Sequence, residues 1–144
     1  GGQLGRMLAL AAHPLGIGVR TYETSNDSPA AVVSELHVGS FDDFAALDHF
    51  AAGLSAITYE FENVPVAAAR HLATKVAVYP PPQALEVSQD RLAEKTLFRQ
   101  LGIGTPDFAP IDDEPSLEKA LTQIGFPSVM KTRRFGYDGK GQAV

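Results

Sequence analysis

Apolar positions along this chain change period several times, and each change marks an element. Leu4, Met7, Leu8 and Ala11 recur at helical spacing until His13-Pro14-Leu15-Gly16 stops the run. Residues 17–22 read as a strand, residues 25–29 as a polar turn, and His37-Val38 as a very short strand. Asp42 or Asp43 then caps a helix whose apolar stripe is Phe44, Leu47, Phe50 and Ala51. Residues 56–59 are a strand, 65–71 a short helix and 76–79 another strand. Strands alternating with helices predict an α/β fold with a parallel, doubly wound, Rossmann-like sheet.

Pro80-Pro81-Pro82 breaks this rhythm. Proline fixes an extended backbone and resists helix, so the spacing predicts a domain boundary there, with one domain over 1–82 and a second over 83–144. Beyond it come a helical stretch at 83–88 and a helix at 91–101 with Asp90 as N-cap, stopped by Gly102. An extended segment at 106–111 precedes a helix at 116–124 opened by Pro115 and closed by Gly125 and Pro127. A strand at 128–131 ends in Lys131 and leads into a loop with Gly136, Gly139 and Gly141, and a further strand begins at Ala143-Val144.

Composition narrows the function classes. With 144 residues, 44% hydrophobic and 20% charged, the chain can bury a real core. A net charge of −5 argues against nucleic acid as the main partner, since a phosphate-tracking surface needs a basic excess. No apolar run approaches the roughly 20 residues of a membrane span. The absence of Cys rules out disulfides and thiolate metal sites and fits a cytoplasmic protein. The chain starts at Gly1-Gly2, where a glycine turn would leave a strand, so it reads as a fragment that lacks its first strand.

Four constellations carry chemistry. Gly2-Gln3-Leu4-Gly5 keeps the second half of a glycine turn and opens a helix, whose free N–H groups attract an anion; Glu23 sits at the end of the next strand. The plain alternative is a tight strand-to-helix turn with a solvent-facing Glu. Glu60 and Glu62 stand two residues apart at the C-terminal end of a strand, the edge where open α/β sheets bind ligands; the alternative is a solvated loop. Arg91 and Lys95 share a helix face, which is equally what a surface helix laced with salt bridges shows. The last constellation speaks most clearly. A buried Lys131 at a strand end offers a fixed positive charge, and glycines without Cβ let backbone N–H groups close on an anion, so together they point to a polyphosphate clamp; the plain alternative is a strand-end Lys reaching solvent before a mobile glycine hairpin. The spacing is not that of a P-loop, because no Gly-Lys-Ser/Thr opens a helix here.

Four segments line up in order with one family: residues 1–8 (GGQLGRML), 59–65 (YEFENVP), 89–95 (QDRLAEK) and 136–142 (GYDGKGQ). Along its whole length the chain resembles the 5-(carboxyamino)imidazole ribonucleotide synthases, bicarbonate-using ATP-grasp ligases of purine biosynthesis. That resemblance implies a pre-ATP-grasp domain followed by the start of an ATP-grasp domain. It implies that ATP phosphorylates bicarbonate to carboxyphosphate, and that the exocyclic amine of aminoimidazole ribonucleotide is then carboxylated, with ADP and phosphate released. On the same ground Arg91 and Lys131 contact ATP phosphates, and Gly136, Tyr137, Asp138, Gly139, Lys140, Gly141 and Gln142 form a lid over the nucleotide. Tyr137, Asp138 and Lys140 also border the reacting groups. Glu62 and, after it, Glu60 hold the aminoimidazole side, while Gln3 and Leu4 approach the ribose phosphate. The Mg²⁺ ligands of the family fall beyond Val144, the complete enzyme is expected to be a homodimer, and the 144-residue piece alone is expected to be inactive.

Two other readings stay open. Another ATP-grasp ligase, such as a formate-using glycinamide ribonucleotide transformylase or a biotin carboxylase subunit, shares the Lys and the glycine loop. A nicotinamide dinucleotide module would use Gly2, Gly5 and Glu23, but it explains nothing after Pro80.

Overall fold

The computed structural model describes every residue except Tyr137 and Asp138. The chain divides into two compact units, Gly1–Leu85 and Glu86–Val144.

In the first unit the alternation of strand and helix is realised as parallel pairing. Strand β1 (Arg20–Glu23) pairs with β2 (Glu35–Val38), and β3 (Ile57–Thr58) pairs with β4 (Val78–Tyr79). Helix α1 (Gln3–Ala12) precedes β1, α2 (Phe44–Ala51) lies between β2 and β3, and α3 (Val66–Ala73) is the crossover from β3 to β4, while a short 3-10 turn at Pro29–Val32 lies between β1 and β2. Among the described residues the two strand pairs form separate ladders.

The core explains the order. Tyr22, Leu47, Phe50, Ala51, Ala68, Leu72 and Val78 are buried together, so β1, α2, α3 and β4 share one apolar centre. Tyr22 packs edge-on against Phe50 at 5.3 Å between ring centroids and lies 5.4 Å from Phe41. Its hydroxyl donates to the Ser40 carbonyl at 2.8 Å, which satisfies the polar end of a buried ring. Gly39 admits that hydroxyl, because a Cβ at this position would collide with the Tyr22 oxygen. Arg20 Nη1 donates to the carbonyls of Phe50 and Ala52 at 2.8 and 2.9 Å, placing a cation on the last carbonyls of α2.

Several sequence expectations shift at their edges. The predicted stripe Leu4, Met7 and Leu8 on α1 is exposed; the buried face is Gly5, Ala9 and Ala12. Small residues let this helix seat closely, and large ones at the same face would hold it off. Asp43, not Asp42, caps α2, its carboxylate accepting from the Ala46 N–H at 3.0 Å. Pro82 does not forbid helix but opens one, α4 (Pro82–Ser88); at the first helical position its missing N–H is no loss.

In the second unit, α5 (Arg91–Gln100) starts at Asp90, whose carboxylate accepts from the N–H groups of Leu92 and Ala93. Helix α6 (Glu114–Ile124) begins two residues earlier than expected because Asp113 and Ser116 form a reciprocal capping box. Gly125 ends it at φ 76°. Strand β5 (Met130–Lys131) is shorter than predicted and pairs antiparallel with β6 (Gln142–Ala143). No helix among the described residues is long and apolar enough to cross a membrane.

The α2–α3 contact carries a pH-sensitive pair. Asp48 accepts from Lys75 Nζ at 3.0 Å and from His71 Nε2 at 2.7 Å, and the His71 ring stacks on Phe44 at 4.4 Å. The Lys75 hydrogen bond first, and His71 second, hold the Asp48 carboxyl below its usual range. A lowered folded-state pKa gives stability that is present above the unfolded value, near 3.9, and is lost as pH falls through the folded value. Asp48→Asn should therefore flatten the acid limb of stability below about pH 4. Urea midpoints of wild type and variant, measured from pH 6 to 2.5, check this; parallel curves would assign Asp48 no part in acid sensitivity.

Candidate functional site

Helix α5 and the β5–β6 hairpin build the site in the second unit. Asp90 already satisfies the first N–H groups of α5, so it is the Arg91 side chain and not the bare helix end that serves the cleft. The Arg91 N–H donates to the Arg133 carbonyl at 2.9 Å, and Arg134 Nε lies 3.6 Å from Asp90 Oδ2. A further ion pair, Arg133 to Asp112 at 3.3 Å, holds the same segment. These bonds tie the chain that follows Lys131 to the start of α5.

The ladder pairs Lys131 with Gln142, and the Thr132 N–H donates to the Gly141 carbonyl at 2.8 Å. The loop between is thus closed at its base. Its glycines have distinct reasons. Gly139 and Gly141 take φ of 80° and 68°, and a Cβ on Gly141 would stand 2.6 Å from Thr132 Oγ1. A Cβ on Gly136 would stand 2.9 Å from the same oxygen. Phe135 adopts φ 60° with its ring exposed, an uncommon and costly backbone for a bulky residue, of order 1–3 kcal/mol.

Arg91, Lys131, Thr132, Gly136, Gly139, Lys140, Gly141 and Gln142 line a cleft of about 200 Å³. Three of these are cations and none is an acid, so the described lining favours an anion. The volume falls short of the roughly 300–1,000 Å³ of a complete small-molecule pocket, which suits the phosphate end of a ligand better than a whole nucleotide. Arg91, Lys131, Gly136, Gly139, Lys140, Gly141 and Gln142, the described members of the expected nucleotide set, line this one cleft. Tyr137 and Asp138 lie outside the described residues. The expectation of a buried Lys131 is corrected: both residues of β5 are exposed, because a two-residue strand paired with one neighbour leaves its side chains open.

In the sequence, Thr132, Arg133 and Arg134 stand out only as a spacer. Their roles as base and anchors of the loop depend on contacts with residues 90, 91, 112 and 141. The one local signal is two adjacent arginines following a strand end.

In the first unit the Gly2–Gly5 turn opens α1 as expected, with Gln3 and Leu4 exposed in its first turn. The carboxylate set against it is Glu60: a Cβ on Gly2 or Gly5 would lie 3.8 or 3.7 Å from Glu60 Oε1. Glu62 is exposed in the following turn, closed by the Val64 N–H on the Phe61 carbonyl. Glu23 ends β1, where its Oε1 accepts from the N–H of Thr24, so this acid is engaged locally. Arg6, which the sequence pattern did not single out, places a buried Nε on the same helix without a hydrogen-bond partner. No group of three or more carboxylate or imidazole residues able to hold a metal occurs among the described residues.

The hairpin geometry is testable. Gly141→Ala combines a left-handed backbone with a clash against Thr132, and should weaken the β5–β6 pairing by about 1–3 kcal/mol. The Thr132 amide, bonded to the Gly141 carbonyl, should then exchange with solvent faster by about tenfold or more. Adding Thr132→Ala should restore part of the protection by removing the clash but not the backbone strain. An unchanged exchange rate in Gly141→Ala would mean that the loop base tolerates a side chain.

Comparison with known proteins agrees with this architecture. The ribonucleotide synthetase pre-ATP-grasp domain family matches residues 1–89, and the ATP-grasp domain family matches residues 96–144. N5-carboxyaminoimidazole ribonucleotide synthase from Brucella melitensis is 50% identical over 143 residues, covering 99% of this chain and 40% of that protein. The crystal structure of N5-carboxyaminoimidazole ribonucleotide synthetase from Thermus thermophilus superposes with a TM-score of 0.91 at 54% identity, covering 99% of this chain and 38% of that one. An Aspergillus clavatus N5-carboxyaminoimidazole synthase, solved with ADP and 5-aminoimidazole ribonucleotide, superposes with a TM-score of 0.83 at 30% identity over the same shares. The chain spans about 40% of the length of the curated relatives it matches. It belongs to the ribonucleotide synthetase pre-ATP-grasp family and continues into an ATP-grasp domain.

Proposed function

We propose that the complete protein uses ATP and bicarbonate to carboxylate 5-aminoimidazole ribonucleotide, through carboxyphosphate, to N5-carboxyaminoimidazole ribonucleotide, releasing ADP and phosphate in purine biosynthesis. The observation that carries this reading is the cleft whose described lining gathers Arg91, Lys131 and Lys140 over a glycine loop, in a chain 50% identical to a synthase of that name. ATP supplies the phosphoryl group. Arg91 and Lys131 neutralise its phosphate charge, and the loop of residues 136–142 closes over it, excluding water from a labile acyl phosphate. Tyr137, Asp138 and Lys140 border the reacting groups.

On the other substrate, Gln3 and Leu4 at the start of α1 approach the ribose phosphate, and Glu60 and Glu62 hold the aminoimidazole. The position of the Glu60 carboxylate beside Gly2 and Gly5 supports that role for Glu60 in particular. We assign residues 1–82 to the pre-ATP-grasp domain and 83–144 to the beginning of the ATP-grasp domain. The nearby division after Leu85 supports it. The described residues do not fit Mg²⁺, so no step here runs through it; its ligands are proposed to lie beyond Val144. A cytoplasmic homodimer completes the reading.

Two measurements test it on the complete protein. Lys131→Met keeps most of the stem and deletes the charge, so calorimetric ATP affinity should fall about tenfold or more at an unchanged melting temperature. Wild-type affinity in the folded variant would remove the clamp. Glu60→Gln and Glu62→Gln should each raise KM for the ribonucleotide more than KM for ATP, by about ten- to a hundredfold if a charge-assisted hydrogen bond of about 1.5–3 kcal/mol is lost. The larger effect is expected at Glu60. Equal KM values with both substrates would return these acids to a solvated loop.

A further inference from the structure

Beside the cleft stands a cation that none of the roles above uses. Lys95 lies on α5 one helical turn after Arg91, on the same face, and is partly buried. Its ammonium sits 4.8 Å from the centre of the Phe108 ring, and the Arg99 guanidinium lies 3.9 Å from the same centre. One aromatic ring therefore gathers two cations of one helix. A cation over an aromatic face is held in place without being neutralised.

The surroundings of Lys95 are unusual in sign. Burial, then Arg91, Arg99 and Lys131, press its ammonium below the usual lysine range, and Asp107 alone opposes them. Asp107 is largely exposed and already faces Arg99 at 3.6 Å. Holding the partly buried Lys95 ammonium among like charges is unfavourable. An anion in the cleft offsets that cost, because it brings a counter-charge into the field of Lys95. Arg91 and Lys131 line the cleft, so an anion there enters the field of Lys95 as well.

We infer that Lys95, steadied by Phe108, is an electrostatic positioning residue of the cleft, a further positive charge that acts on the ligand's phosphates alongside Arg91 and Lys131. This rests on the nucleotide reading of the cleft and adds a residue to it. Phe108 accounts for why the charge is fixed on α5 and does not swing into solvent.

The test is ATP binding to the complete protein by calorimetry at several salt concentrations, with wild type, Lys95→Met, Lys95→Arg and Lys131→Met in parallel. Lys95→Met should raise the ATP Kd about five- to tenfold and make the dependence of Kd on salt shallower, at an unchanged melting temperature. Lys95→Arg should keep the wild-type affinity and salt slope, which a purely structural role for the side chain does not predict. If Lys131→Met binds weakly while Lys95→Met matches wild type in both affinity and salt slope, the role of Lys95 is overturned and the nucleotide site stands. If wild type itself binds no ATP, the nucleotide reading fails and this inference fails with it.

Discussion

The loop that forms the cleft depends on a very short ladder. Met130 faces Ala143 and Lys131 faces Gln142, and the Thr132 N–H closes the ring on the Gly141 carbonyl. Closing a loop of this length has an entropic cost that two paired residues alone offset poorly. The ladder survives because the strand exit is fastened elsewhere, through Arg133 and Arg134 to Asp112, to the backbone of Arg91 and to Asp90. Asp90 does two jobs: it caps α5 and faces Arg134. The helix that carries Arg91 and the loop that carries Lys140 are thereby referred to one point.

Recognition of an anion at this cleft rests on charge, since a cluster of cations attracts an anion over several ångströms and does not demand jigsaw packing. The first unit is built around Tyr22, Leu47, Phe50 and Leu72, and presents its carboxylate and glycine turn from a packed α/β layer.

The composition of the lining explains why the reading favours phosphate transfer over dinucleotide binding. Glu23, at the end of β1, accepts from the Thr24 backbone through Oε1 and sets Oε2 beside Gly1, while Glu60, after β3, stands at Gly2 and Gly5. The cationic cleft lies after Pro82, in residues for which a nicotinamide module has no use.

What the sequence determined by itself is the alternation of elements, the caps and the glycine loop. These are local: Asp90 and Asp113 cap the helices they precede, Gly102 and Gly125 take the positive φ that stops them, and Lys131 is followed by glycines within one loop. Tertiary structure decided what depends on distant partners. It turned α1 so that Gly5, Ala9 and Ala12 are buried and the larger Leu4, Met7 and Leu8 are exposed, a choice that periodicity cannot make when both faces are apolar. It placed Glu60 at the glycine turn, since which of two nearby acids reaches a turn far away in sequence depends on how β3 ends. It also made anchors of Arg133 and Arg134 and gathered Lys95 and Arg99 on Phe108. A charge in a sequence has a sign, but only the folded chain gives it neighbours.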